Sequence, residues 1–67
     1  MDVFVNGKLL AVPTGARITD ALDILKIGSV KGVAVAVNNN VIGRADWEHL
    51  ELNNNDRITL IKATQGG

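Results

Sequence analysis

The chain has 67 residues, no cysteine, one histidine, and seven basic against seven acidic side chains. That length means one domain with a small core, and the missing thiols exclude disulfide staples and thiolate metal sites. No basic stripe points to nucleic acid, no apolar run reaches the roughly 18 residues of a membrane span, and the N-terminus lacks a signal-peptide pattern, so the expected setting is cytoplasmic.

With 46% hydrophobic residues and only 3% aromatic ones, the core must be mainly aliphatic. Val3-Phe4-Val5 and Lys8-Leu9-Leu10-Ala11-Val12 flank Asn6-Gly7, the pair that a tight hairpin turn with two positive φ angles favours. Pro13-Thr14-Gly15 breaks the second strand. Ile18, Ala21, Leu22 and Leu25 follow at helical spacing within Ile18–Ile27, with the start placed at 17 to 19. Asp20 and Asp23 suit the early turns of that helix and Lys26 its end. Gly28 is the expected C-cap.

Val33-Ala34-Val35-Ala36-Val37 alternates with period two, as a strand does. Asn38-Asn39-Asn40 reads as a turn, Val41-Ile42 as a short extended piece, and 45–50 as a single helical turn carrying Trp47, expected as a lid at one end of the core. Asn53-Asn54-Asn55-Asp56 is a second polar turn, and Arg57 begins a last strand ending near Ala63. Strands grouped around one helix predict an α+β fold, a mixed sheet of four to five strands with one main helix on one face. Polar Asp2 and Asn6 point away from that helix. Val3, Val5, Leu10, Val12, Val33, Val35, Val37, Ile58 and Leu60 are therefore the expected core, and Phe4, Leu9, Ala34, Ala36 and Ile61 fall on the uncovered face. An apolar cluster there is a candidate docking surface.

Thr64-Gln65-Gly66-Gly67 follows the last strand. A Gly-Gly end has no side chains to clash and few forbidden backbone angles, so it suits a narrow slot. Fully extended, the four residues reach roughly 13 Å. The domain division is thus a folded body at 1–63 and a tail at 64–67, expected to be mobile in the free protein, with Gly66 and Gly67 entering a partner's active site. The plainer reading of Gly-Gly is a frayed end or a remnant of cloning. In the body nothing reads as catalytic or as a metal site. His49 lacks a triad partner, and Gly7, Gly15 and Gly28 are turn and cap residues rather than a phosphate loop.

The order of elements with a Gly-Gly end resembles the ubiquitin-like β-grasp fold. The chain is most similar to the ThiS family of sulfur carriers in thiazole formation for thiamin. The resemblance rests on Val5-Asn6-Gly7, Gly15-Ala16, Val33 to Asn38, Val41-Ile42-Gly43-Arg44-Ala45-Asp46-Trp47, Asn55-Asp56-Arg57-Ile58 and Gly66-Gly67. Two departures from the family pattern sit in turns: Gly43 replaces a usual Pro, and Asn55 a frequent Gly.

The resemblance implies a carrier rather than an enzyme. On that resemblance the Gly67 carboxylate is expected to be adenylated by an E1-like, ThiF-like enzyme with Mg-ATP, and sulfur from a donor enzyme is then expected to replace AMP and leave a thiocarboxylate. A ThiG-like thiazole synthase is the acceptor that the resemblance implies. No cofactor is expected on the chain itself; Mg-ATP belongs to the partner. Three alternatives remain open on the same fold: a molybdopterin-synthase small-subunit-like carrier, a ubiquitin-like modifier, and a non-reactive β-grasp binding module.

Overall fold

The computed structural model describes residues 1–62 of the chain. Five strands surround one helix: β1 Asp2–Val5, β2 Lys8–Ala11, α1 Ile18–Ile24, β3 Val33–Val37, β4 Asn40–Ile42 and β5 Arg57–Lys62. The strands form one mixed sheet in the order β2-β1-β5-β3-β4. β1 and β5 are parallel, and every other pairing is antiparallel. β5, the last strand among the described residues, is therefore the central one, with β1 on one side and β3 on the other.

Turn chemistry fixes the two hairpins. Asn6 and Gly7 have φ of 51° and 84°, and Asn38 and Asn39 have 50° and 71°. Two consecutive positive φ angles define the two-residue turn whose twist matches antiparallel strands. Val5 then lies opposite Lys8, and Val37 opposite Asn40. Asn40 belongs to β4, so the second turn is one residue shorter than the three asparagines suggest.

The period-two pattern places Val3, Val5, Val33, Val35, Val37 and Ile58 on the buried face, where Ile18, Ala21 and Leu22 of α1 cover them. Leu10 and Leu60, expected in the core, and Leu25, expected on the apolar face of the helix, are only partly buried and pack against the core's margin. Fully burying an aliphatic side chain of this kind contributes about 1.5–3 kcal/mol, so this face carries most of the stability. Ala16 and Leu52, which the periodicity does not single out, complete the core. Leu52 donates its backbone N–H to the Ala16 carbonyl at 2.8 Å, which draws the segment before β5 against the start of the helix.

Arg17 is the N-cap of α1, with extended backbone. Its side chain has no acceptor, so only the returning half of a capping box forms: the Arg17 N–H donates to Asp20 Oδ2 at 2.8 Å. The helix ends earlier than its apolar spacing predicts, and Gly28 is not the cap. Lys26 takes the left-handed position, with φ of 58°. Its N–H donates to the Asp23 carbonyl at 3.0 Å, and the Ile27 N–H to the Leu22 carbonyl at 3.1 Å. This is the paired closing pattern of a Schellman turn. Beyond this turn Ile27 and Val30 pack against the core margin.

Residues 44–46 form a 3₁₀ turn. Trp47, expected as a lid, is buried within the core at 4% exposure. Its Nε1–H donates to the Ile42 carbonyl at 3.0 Å, so the polar end of the indole is satisfied on burial. Arg44 lies over the ring, 5.5 Å from its centroid, and donates from Nη2 to the Val30 carbonyl at 2.7 Å. The two departures noted in the sequence keep suitable backbones. Gly43 has φ of −64°, the angle a proline ring would fix, and Asn55 has φ of 69°, a region that Gly and Asn tolerate.

Candidate docking face and the strand that leads to the tail

On the side of the sheet away from α1, the outward residues of β5 are Arg57, Thr59 and Ile61. Register sets their neighbours. Phe4 lies beside Arg57, Ala36 beside Thr59 and Ala34 beside Ile61, while Leu9 lies opposite Phe4 on the next strand. Phe4, Leu9, Ala34, Ala36 and Ile61 thus share one face, as the alternation predicts. Leu9 and Ile61 are 62% and 61% exposed, and Phe4 and Ala36 are half-buried. The two alanines make the centre shallow.

Sequence reasoning missed two members of this face. Val41 lies opposite Ala36 and is 81% exposed. Its side becomes legible only once the preceding turn is read as two residues, because a shift of one residue reverses a strand's faces. Arg57 shares the parity of Thr59 and Ile61, so that signal was present. With Phe4 and Thr59, and the turns at Asn6-Gly7 and Asn38-Asn39, Arg57 lines an open groove of about 590 Å³. The groove sits at the start of β5. Lys62, the last described residue, lies at the other end of the strand, about 17 Å away at the usual rise per residue.

Asparagines hold β5 in place at both ends. The Asn38 N–H donates to the Arg57 carbonyl at 2.7 Å, and Asn38 Oδ1 accepts from the Arg57 N–H at 3.0 Å. Further along, the Leu60 N–H donates to Asn6 Oδ1 at 2.9 Å, while Asn6 Nδ2 donates to the Leu60 carbonyl at 3.2 Å. β1 has ended by then, and the Asn6 amide takes the place of its next peptide. Leu60 is two residues from the last described residue, so β5 is held close to its end. Gly66 and Gly67, the expected reactive end, lie outside the described residues, as does the expectation of their mobility.

Elsewhere the body offers little chemistry. The His49 imidazole is 72% exposed and lies 3.7 Å from the equally exposed Glu48 carboxylate. Asp20 serves the helix cap. Among the described residues no group of three or more His, Cys, Asp or Glu comes together, and no helix is long and apolar enough to cross a membrane.

Three comparisons bear on this arrangement. The ThiS family model matches residues 3–67. No curated protein gives a match. Among solved structures, the crystal structure of a thiamine biosynthesis protein (ThiS) from Geobacter metallireducens is similar over the whole of both chains, with 26% identity and a TM-score of 0.83. An NMR solution structure of a thiamine biosynthesis protein from that organism is similar over all of this chain and 88% of its own, at 26% identity and a TM-score of 0.78.

Proposed function

The chain belongs to the ThiS family of small sulfur carriers in thiamine biosynthesis, and we propose that Gly67 is the residue on which it carries sulfur to thiazole formation. The observation that supports this most directly is the span of the family match, which runs through the β-grasp body and on to Gly66 and Gly67.

A carboxylate is a poor electrophile and must be activated. In the proposed sequence the Gly67 carboxylate attacks the α-phosphorus of ATP on an E1-like enzyme, releasing pyrophosphate and giving an acyl-adenylate. A sulfide-level sulfur nucleophile supplied by a donor enzyme then attacks the acyl carbon, the carbon–oxygen bond to AMP breaks, AMP leaves, and a thiocarboxylate remains. Its sulfur is ionised at neutral pH and nucleophilic, for the reasons that make a thiolate better than a thiol. A thiazole synthase accepts it. This chain contributes no acid or base to these steps. It supplies a slender tail, a rigid strand from which the tail leaves, and a face that orients the body on its partners. The absence of cysteine also leaves no internal thiol to attack the adenylate.

Docking through Phe4, Leu9, Ala34, Ala36 and Ile61, extended by Val41 and Arg57, is part of the proposal, as is a cytoplasmic setting with its ATP. The sheet face suits docking because it is apolar and exposed on a strand whose backbone is held by Asn6 and Asn38. Mass spectrometry of the protein isolated from its own cells during thiamine demand tests the carrier reading. The expected finding is a population heavier by one oxygen-to-sulfur exchange, localised to the C-terminal peptide. Amide linkage of that peptide to lysines of other proteins, with no sulfur-bearing form, would replace the carrier by a modifier.

A further inference from the structure

Asn6-Gly7 is the only Asn-Gly pair in the sequence. Asparagine followed by glycine is chemically fragile, because no side chain shields the following amide nitrogen. That nitrogen attacks the asparagine side-chain carbonyl carbon, Cγ. A bond forms between the Gly7 nitrogen and Cγ, the bond from Cγ to Nδ2 breaks, and the Nδ2 group leaves as ammonia, taking up the proton lost from the Gly7 nitrogen. The resulting succinimide is opened by water at either carbonyl, giving aspartate or isoaspartate at position 6.

We propose that Asn6 is a latent deamidation site, silenced by its paired hydrogen bonds to Leu60, and that its conversion loosens the strand leading to the tail. Attack requires Cγ to swing over the Gly7 nitrogen. In the folded protein the side-chain amide reaches instead across to β5, with Oδ1 accepting from the Leu60 N–H at 2.9 Å and Nδ2 donating to the Leu60 carbonyl at 3.2 Å. The Asn6 backbone N–H is tied to the Ile58 carbonyl at 2.9 Å, and the turn holds φ of 51° and 84° at Asn6 and Gly7. Both side-chain bonds must open before the ring closes, so the reaction waits on local unfolding of the turn.

The product cannot restore the clamp. An aspartate keeps an acceptor for the Leu60 N–H but has no donor for the Leu60 carbonyl, which then faces a carboxylate oxygen. An isoaspartate adds a methylene to the main chain of a two-residue turn that sets Val5 opposite Lys8. The Leu60 carbonyl loses its donor on the β1 side in either case, two residues before Lys62, and in the aspartate it meets a repelling carboxylate oxygen instead. These consequences follow from the body alone and do not depend on the sulfur-carrier proposal.

The test incubates the protein folded, and unfolded in concentrated urea, in warm, mildly alkaline buffer. Conversion at position 6 is read by peptide mapping and isoaspartate analysis. Conversion in the folded protein is expected to be slower by at least about tenfold, the suppression set by the opening equilibrium. Equal rates would overturn the silencing. Hydrogen exchange at the Leu60 amide then tests the consequence in Asn6→Asp and in Asn6→Gly, which tolerates the positive φ and adds no charge. Faster exchange at Leu60 in whichever variant folds supports the loosening, and wild-type exchange there would refute it.

Discussion

Asp56 Oδ1 accepts a hydrogen bond from Asn38 Nδ2 at 3.0 Å, joining the turn after β3 to the residue that precedes β5. The other oxygen, Oδ2, accepts from the Asn53 N–H at 2.7 Å. Asp56 is a buried polar residue, 8% exposed, and its carboxylate closes one turn upon itself while fastening a second. Its carbonyl also receives the Phe4 N–H at 2.9 Å, so Asp56 acts with the Asn38–Arg57 bonds to fix the point where β5 enters the sheet.

Asp56→Ala leaves the Asn38 and Asn53 donors without their acceptor in a partly buried site. A buried polar group left unsatisfied costs about 1–3 kcal/mol, and that loss is expected in urea unfolding followed by the fluorescence of Trp47, the only tryptophan in the chain. A loss below about half a kcal/mol, the range of ordinary surface substitutions, would mean that water replaces the carboxylate without penalty.

The helix terminus gives a paired test. Lys26 stands at φ of 58°, a region that costs a residue with a Cβ roughly 1–2 kcal/mol. Lys26→Gly removes that strain but adds freedom to the unfolded chain, for a net gain of about 0.5–1 kcal/mol. Gly28 has no positive φ, and an added Cβ there meets nothing within 4 Å. Gly28→Ala is thus also expected to stabilise, by about 0.4–1 kcal/mol. If Gly28 were the cap that the sequence suggests, Gly28→Ala would destabilise instead, and the same unfolding measurements decide between the two.

The strands and their faces were legible in the sequence because period two is unambiguous over Val33–Val37 and in β1. Turn chemistry located both hairpins, but three consecutive asparagines concealed which two residues make the second turn, and with it the side of Val41. The helix end was misplaced because a lysine in the left-handed region leaves no mark in composition, whereas a glycine two residues later does. Leu52 carried no periodic signal, since it lies in irregular chain held by a bond to the Ala16 carbonyl. The roles of Asn6 and Asn38 on β5 were hidden for a similar reason: each is a turn residue by local rules and a strand partner only in the folded sheet.

The open face yields a separate expectation. Ile61 is 61% exposed, so Ile61→Asp is expected to cost about 1 kcal/mol or less in folding. Its affinity for the activating enzyme is expected to fall by at least about tenfold, equivalent to about 1.4 kcal/mol, with a parallel but smaller loss for Phe4→Ala. Titration of the enzyme with folded variants provides the measurement. Wild-type affinity in Ile61→Asp would take this face out of the account.

The central claim is that chemistry occurs at the Gly67 carboxylate and that the folded body only presents it. Removing Gly67, or adding one residue after it, displaces the carboxylate by about 3.5 Å, and near-attack geometry fails after errors of about 1 Å. Both altered chains are expected to fold with wild-type stability. The decisive measurement is ATP–pyrophosphate exchange catalysed by the E1-like partner with wild-type and Gly67-deleted protein. Exchange with the wild-type chain and none above background with the deleted one is the predicted result. Exchange at the wild-type rate from the Gly67-deleted chain would contradict the account, and the chain would then stand as a β-grasp module whose terminus takes no part in the reaction.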